Sequence, residues 1–307
     1  MICKPTENTY SRKHFLLIAG IPGIGKSTLA LSAPAPLFID CDQSLYKVNP
    51  VHRICDYINP QTYMEIREDL KSDLSAYQSL IFDTGGELIS FMKLWATKQN
   101  TKYVQRDGTT LTMSGYGAVK REFESLVDYC LNELHKHVIM VCHVSEMMEN
   151  DITVFKLDVE GSSNRYMWKK ADLGAFMSIQ GQKRILEFSP TDTHHAKGAY
   201  GISGIREYSY PKAGSDNVFI KELFQEADIF MAQESELLKK YNEIMDMVND
   251  LVNSTIDQTS VNEAMETFSG IEWIFSARRE AWTILSQKAA ALGLKYDPVT
   301  KHFIPTV

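Results

Sequence analysis

Residues 20–28 read GIPGIGKST and follow the apolar run HFLLIA at 14–19. Glycine clusters commonly mark turns, but this one has a stricter spacing. Gly20, Gly25, Lys26 and Ser27 fit G-x-x-x-x-G-K-[ST], the phosphate-binding loop. Each residue type has a task. Gly20, Gly23 and Gly25 let the chain curl so that successive N–H groups point into one hollow, with Pro22 and Ile24 between them. Lys26 is expected to reach the β- and γ-phosphates, and the Ser27 hydroxyl to hold Mg²⁺. Thr28 is expected to open a helix whose positive end faces the phosphates. The flanks agree: a strand-like run precedes the motif, STLALSA supplies helix formers after it, and Pro34 stops them. The alternative is a chance match in a strand-to-helix turn.

Working outward, short apolar runs alternate with helical patterns over the first two hundred residues. HFLLIAG, APLFIDC (35–41), SLIFDT (79–84), HVIMVCHV (137–144), DLGAFMSIQ (172–180) and RILEFSP (184–190) are strand-like. Residues 63–77, 86–99 and 115–137 are helical. Continuous apolar runs belong to strands buried on both faces, and their alternation with helices predicts a parallel sheet flanked by helices. The segments 101–115 and 144–172 are expected to be long polar loops, which are often functional. After PKAGSDN (211–217) the pattern is helical. Leu237, Tyr241, Ile244, Met245, Val248, Leu251 and Val252 recur at helical spacing, and a second helix is expected from about Ile271 to Gly293, followed by an extended tail. The expected division is an α/β core over 1–212 and a helical C-terminal domain over 213–307.

The 307 residues suffice for one large or two modest domains. A charged content of 23% and a hydrophobic content of 44% are those of a globular chain, and no long uncharged apolar run is present for a membrane helix. The N-terminus has no apolar signal region. The five cysteines lack CxxC spacing, and Cys41 and Cys142 lie in strand-like runs as expected buried thiols. A reducing, cytoplasmic setting fits. The net charge of −7 means that any nucleic-acid role rests on local patches.

A phosphate loop is commonly paired with an acid at the end of a buried strand, which holds Mg²⁺ through water. Asp83, closing SLIFD, is that candidate; the alternative is a cap on the helix that follows. In FIDCDQS, at the end of the second strand, strand geometry puts Asp40 and Asp42 on the same side. Asp42 can then polarise the attacking water, or both acids can simply cap the turn.

These residues together resemble a known family. GIPGIGKST, FIDCDQS and SLIFDT look like the core of phage-encoded RecA-like P-loop ATPases, AAA-type nucleotide-binding proteins, including single-strand annealing proteins with a RecA-like core. SGYGAVKREF, VCHVSE and RILEFSPTDTHHAKGAYG extend the resemblance to residues 14–205. It implies a RecA-like α/β fold and ATP with Mg²⁺ as cofactors. It also implies a homo-oligomer with ATP at the subunit boundary, single-stranded DNA as partner, and a single-strand-binding protein as a further one. Asp42 stands where the family has a catalytic glutamate, one methylene longer. His143 is similar to a polar sensor of the γ-phosphate, the alternative being a histidine bonded at a strand end. Lys197 is similar to a lysine inserted into the neighbouring subunit's site, the alternative being a surface lysine; Arg184 is a second candidate for that task. The pair His194–His195 has no third ligand at zinc spacing.

The segment SSNRYMWKKAD matches the family's DNA-contacting region. Arg165, Lys169 and Lys170 are expected on phosphates, with Tyr166 and Trp168 stacked on bases; the alternative is a surface hairpin whose aromatics pack on the core. Arg278, Arg279, Lys288, Lys295 and Lys301 form either an auxiliary binding module or a solvated face. Trp273, Phe275, Trp282 and Leu285 are expected in the core. Two rival functions remain. One is a nucleotide-dependent assembly switch with slow hydrolysis. The other is a small-molecule kinase, against which stands the lack of an arginine cluster in the core.

Overall fold

The computed structural model describes residues 12–159, 163–212 and 215–306. The opening run becomes β1 (Phe15–Gly20), buried at all six positions. Its side chains alternate between two cores. Phe15, Leu17 and Ala19 enter one cluster, Leu16 and Ile18 the other. Each of the four larger side chains, Phe15, Leu16, Leu17 and Ile18, contributes about 1.5–3 kcal/mol by leaving water, which holds β1 at the centre of the sheet.

Around it stand β2 (Pro36–Asp40), β3 (Asp56–Ile58), β4 (Ser79–Asp83), β5 (His137–Glu149), β6 (Ile152–Leu157), β7 (Leu173–Gln180), β8 (Lys183–Glu187) and β9 (Ile205–Tyr208). The order is β3-β2-β4-β5-β1-β7-β8-β9, with β6 paired to β5. From β3 to β7 the neighbours run parallel, while β8, β9 and β6 pair antiparallel. Helices α1 (Lys26–Ala30), α2 (Tyr63–Asp69), α3 (Gly85–Gln99), α4 (Met113–Asp128) and α5 (Ser163–Lys170) connect the strands. The expected parallel-dominated α/β architecture is the one observed, with a helical C-terminal region beyond it.

Register fixes what meets at the carboxyl edge. Gly20 stands opposite His143, Asp83 opposite Val141, and Asp40 opposite Asp83. Residues far apart in sequence therefore share one edge of the sheet, where open α/β sheets bind ligands.

Several expectations change. The segment 144–172 is not a loop: β5 continues to Glu149, and Asn150 and Asp151 turn the chain with φ of +49° and +61° into β6. The rest of that segment contains α5. The short β3 and β9 go unread in the sequence because they offer only three and four residues. Among the described residues no helix is long and apolar enough to cross a membrane.

The chain divides into two compact units between Asp228 and Ile229, inside α6 (Phe219–Asn253) rather than at 212. In the first unit Ile220, Leu223, Phe224 and Ala227 of α6 join the core cluster of β1. The second unit has its own core. Val248 and Val252 pack with α7 (Gln258–Phe268), α8 (Ala277–Ala291) and the hairpin of β10 (Leu294–Asp297) and β11 (His302–Pro305). A capping box at Asp257 starts α7. Asn262 pins the hairpin by exchanging hydrogen bonds with the Phe303 backbone, at 3.1 and 2.7 Å. The helix expected from Ile271 starts only at Ala277, and the tail is the hairpin. Leu285 lies in the core as expected, and Trp273 is half-buried, packed against that core. Phe275 and Trp282 do not lie there: they are 67% and 40% exposed.

Candidate active site

The glycines of the loop are required by the backbone. A Cβ at Gly20 would lie 2.6 Å from the Met177 carbonyl oxygen and 2.7 Å from Ile24 Cδ1. Gly23 and Gly25 have φ of +81° and +100°, where side chains are disfavoured. Gly25 precedes α1 with no side-chain cap, so the loop amides remain open to a ligand. The expected helix is only five residues long, so those amides rather than a long helix axis supply the positive end.

Lys26 is buried. Its Nζ donates to the Ile21 carbonyl at 2.8 Å and lies 3.1 Å from His143 Nδ1. Burial lowers its pKa to about 8, opposed by the charges of Asp83, Cys142 and Asp42. An ammonium has no lone pair, so Nδ1 of His143 is the acceptor and the ring carries its proton on Nε2. Burial and then Lys26 lower the His143 pKa, so the ring is neutral at pH 7. His143 faces the loop because β5 is the neighbour of β1.

Asp83, at the end of β4, is 2% exposed. Burial raises its pKa to about 7, while the Ser27 hydroxyl and Lys26 pull it down and Asp42 and Asp40 push it up. Its Oδ2 is buried without a hydrogen-bond partner, and so is Oδ1 of Asp42. Two unpartnered carboxylate oxygens near a hydroxyl and a lysine suit a hard cation with oxygen ligands. Among the described residues no group of three or more His, Cys, Asp or Glu could hold a metal alone. The donor set fits Mg²⁺, which Ser27 and Asp83 could hold together with the phosphates of a bound nucleotide.

The two acids of FIDCD part ways. Asp40 accepts from the amides of Ser44 and Leu45 at 2.9 and 3.0 Å and caps the turn. Asp42 lies past the end of β2, so strand alternation does not place it. The amides of Cys41 and Asp42 donate to the Asp83 carbonyl at 2.7 and 3.2 Å, and that pairing brings Asp42 beside Asp83. The thiols of Cys41 and Cys142 are buried and pushed up by desolvation, that of Cys142 to about 12, so they are neutral wall groups.

Thr28 is buried, and its Oγ1 lies 3.1 Å from the Tyr210 hydroxyl. Arg184 donates from Nε to the Ile24 carbonyl at 2.9 Å, and its guanidinium sits 4.3 Å from the Tyr210 ring centroid. Tyr210 is thus a wall of the loop that sequence reasoning missed. It follows a four-residue strand and carries no motif. Arg184, considered for a neighbouring subunit, is committed to its own phosphate loop.

The remaining expected residues lie elsewhere. Lys197 Nζ donates to the Ala171 carbonyl, and its backbone pairs with Gly174 at the amino end of β7, the end opposite Gly20. Residues 163–170 form α5, not a loop. Tyr166 is 5% exposed, within the core, and donates to Ser163 Oγ. The Trp168 ring covers Gly174, where a Cβ would collide with it. The Tyr166 ring is closed to a base because it fills the space between α5 and the sheet, while Trp168 is half-buried, packed over Gly174 with its ring 6.1 Å from that of His195. Lys170 pairs with Asp128 at 2.6 Å. Arg165 and Lys169 are exposed. His194 stacks on Phe176, centroids 4.0 Å apart.

A glycine loop after a central parallel strand, a buried lysine and a strand-end aspartate on the same edge define a P-loop NTPase domain. The profile of the AAA domain family matches residues 12–200, more than half of the chain, and the chain belongs to that family. A search of curated proteins finds no match to this chain.

Proposed function

We propose that this protein is a Mg²⁺-dependent ATPase whose turnover is coupled to single-stranded DNA. The observation that supports hydrolysis best is the convergence of Lys26 with the unpartnered oxygens of Asp83 and Asp42. The coupling to DNA is supported by the resemblance of residues 14–205 to RecA-like ATPases.

The chemistry follows from these groups. The open loop amides cradle the phosphates. Lys26 exchanges the Ile21 carbonyl and His143 for β- and γ-phosphate oxygens, where its ammonium offsets charge that grows in the transition state. Ser27 and Asp83 are the residues that would hold Mg²⁺, which would supply positive charge to offset that of the phosphates. Asp42 accepts a hydrogen bond from the attacking water and takes up its proton. His143, neutral with its proton on Nε2, loses the Lys26 contact when Lys26 turns to phosphate, and so registers whether the γ-phosphate is present.

The test is ATP hydrolysis with and without single-stranded DNA, for wild type and Lys26→Ala. Stimulation by DNA that disappears in Lys26→Ala supports the proposal. Tight ATP binding with near-background turnover, unchanged by DNA, overturns it in favour of an assembly switch. Phosphoryl transfer to a nucleoside or nucleotide overturns it in favour of a kinase.

A further inference from the structure

The second unit carries a cleft of about 950 Å³ between the end of α7, the start of α8 and the β10–β11 hairpin. Its walls are aromatic and basic. Phe275, Trp282 and Tyr296 are 67%, 40% and 38% exposed, an unusual state for three large rings in one place. Trp282 and Tyr296 meet edge to face with centroids 4.9 Å apart, which fixes both ring planes. Phe275 holds φ at +51°, a left-handed backbone that a bulky residue rarely adopts. The core of this unit does not use that ring, since Phe275 is exposed.

The charge around the rings is sorted. Residues 229–307 contain 11 acidic and 7 basic side chains. The cleft is lined by Arg278, Arg279 and Lys301, and by no acid. Among the described residues none of these three cations forms an ion pair. The nearest acid on α8, Glu280, is occupied by the hydroxyls of Tyr241 and Ser276. An acidic unit has gathered unpaired cations around exposed rings.

We propose that this cleft binds single-stranded nucleic acid, with bases stacked on Phe275, Trp282 and Tyr296 and phosphates on Arg278, Arg279 and Lys301. Flat rings beside unpaired cations suit a flexible strand of alternating bases and phosphates, because every base has a face to stack and every link a charge to neutralise. An acidic peptide would use the cations but leave the rings without a flat partner. The inference deepens the DNA part of the proposed function and rests on it, while moving the contact from residues 163–170, where Tyr166 is buried and Trp168 half-buried over Gly174, to the second unit.

The experiment is fluorescence anisotropy of a labelled oligothymidylate of roughly 16 nucleotides with the full chain, without ATP, across a salt series. Wild type is compared with Phe275→Leu/Trp282→Leu, which keeps apolar bulk but removes the flat rings, and with Arg278→Gln/Arg279→Gln. Melting curves check that each variant is folded. The ring variant is expected to bind about tenfold or more weaker. The arginine variant is expected to lower the slope of log affinity against log salt by roughly 1.4, at about 0.7 per lost phosphate contact. Wild-type affinity retained in both folded variants, with loss in Arg165→Gln/Lys169→Gln, overturns this inference and leaves the proposed function standing. No oligonucleotide binding by wild type, or binding only to polyglutamate, overturns the inference and the DNA coupling together, while ATP hydrolysis abolished by Lys26→Ala would still support the ATPase.

Discussion

Replacing Asp83 by Asn is expected to stabilise the nucleotide-free protein while disabling it. Burial raises the Asp83 pKa from 3.8 to about 7. The folded state therefore binds a proton that the unfolded state releases between those two values. Stability falls as pH rises from about 4 to 7, and the loss is complete above 7. A difference of about three pH units at about 1.4 kcal/mol each gives a penalty of about 4 kcal/mol at pH 8. That figure already contains the attraction of Lys26, because the shift is the balance of burial against it. In Asp83→Asn the penalty disappears. At about 2–4 °C per kcal/mol for a unit of this size, the variant should melt roughly 10 °C above wild type at pH 8. The gap should close toward pH 4.5, where wild type is itself protonated. The assay is thermal unfolding from pH 4.5 to 8.5 without nucleotide or Mg²⁺, paired with ATP turnover at pH 8. Parallel melting curves for the two proteins across that range would refute the claim that Asp83 is a desolvated, unsatisfied carboxylate kept for a ligand.

Three other outcomes follow from the same site. Nucleotide affinity should peak between about pH 7 and 8, falling above as Lys26 loses its proton near 8 and below as Asp83 gains one near 7; calorimetric titration that gives a flat profile from pH 6 to 9.5 would contradict both assignments. Gly25→Ala forces a side chain onto a φ of +100° and brings its Cβ within 3.2 Å of the Tyr210 ring, which should lower stability by about 1–2 kcal/mol and weaken ATP binding, both read by melting with and without nucleotide. Tyr210→Phe removes the hydroxyl beside Thr28 but keeps the ring beneath Arg184, so it should cost about 1 kcal/mol. Tyr210→Ala should cost more, and equal melting points for the two would deny the ring any role.

What the sequence revealed was local, and what it hid was pairing. The phosphate loop was readable because its demands sit on consecutive residues: two glycines at positive φ, one with no room for a Cβ, and a lysine directly after. The parallel strands were readable because burial on both faces leaves unbroken apolar runs. The β5–β6 hairpin was not, because Ser145 to Glu149 leave the core and its turn is Asn150–Asp151 instead of a glycine pair. Segments 163–170 and 268–282 both set aromatics among basic residues, yet the first set packs mostly inward and the second partly outward. Only the sheet beneath α5 and the hairpin beside α8 decide that.

Asp42 shows the same limit at the centre of the site. Counting along β2 as a strand puts Asp40 and Asp42 on one side, with equal claims to the attacking water. The strand ends at Asp40, and the two acids then diverge. Asp40 commits one bond on each oxygen to the amides of Ser44 and Leu45, which hold its carboxylate against the turn. Asp42 keeps a buried, unpartnered oxygen because its own backbone, with that of Cys41, is drawn to the carbonyl of Asp83. That attachment exists only because β4 lies next to β2 in the sheet, about forty residues away in sequence. Asp40→Asn should therefore act mainly on stability and Asp42→Asn mainly on turnover, a difference that strand periodicity does not foresee. If both variants lost turnover equally while melting like wild type, the division of labour between these carboxylates would be wrong.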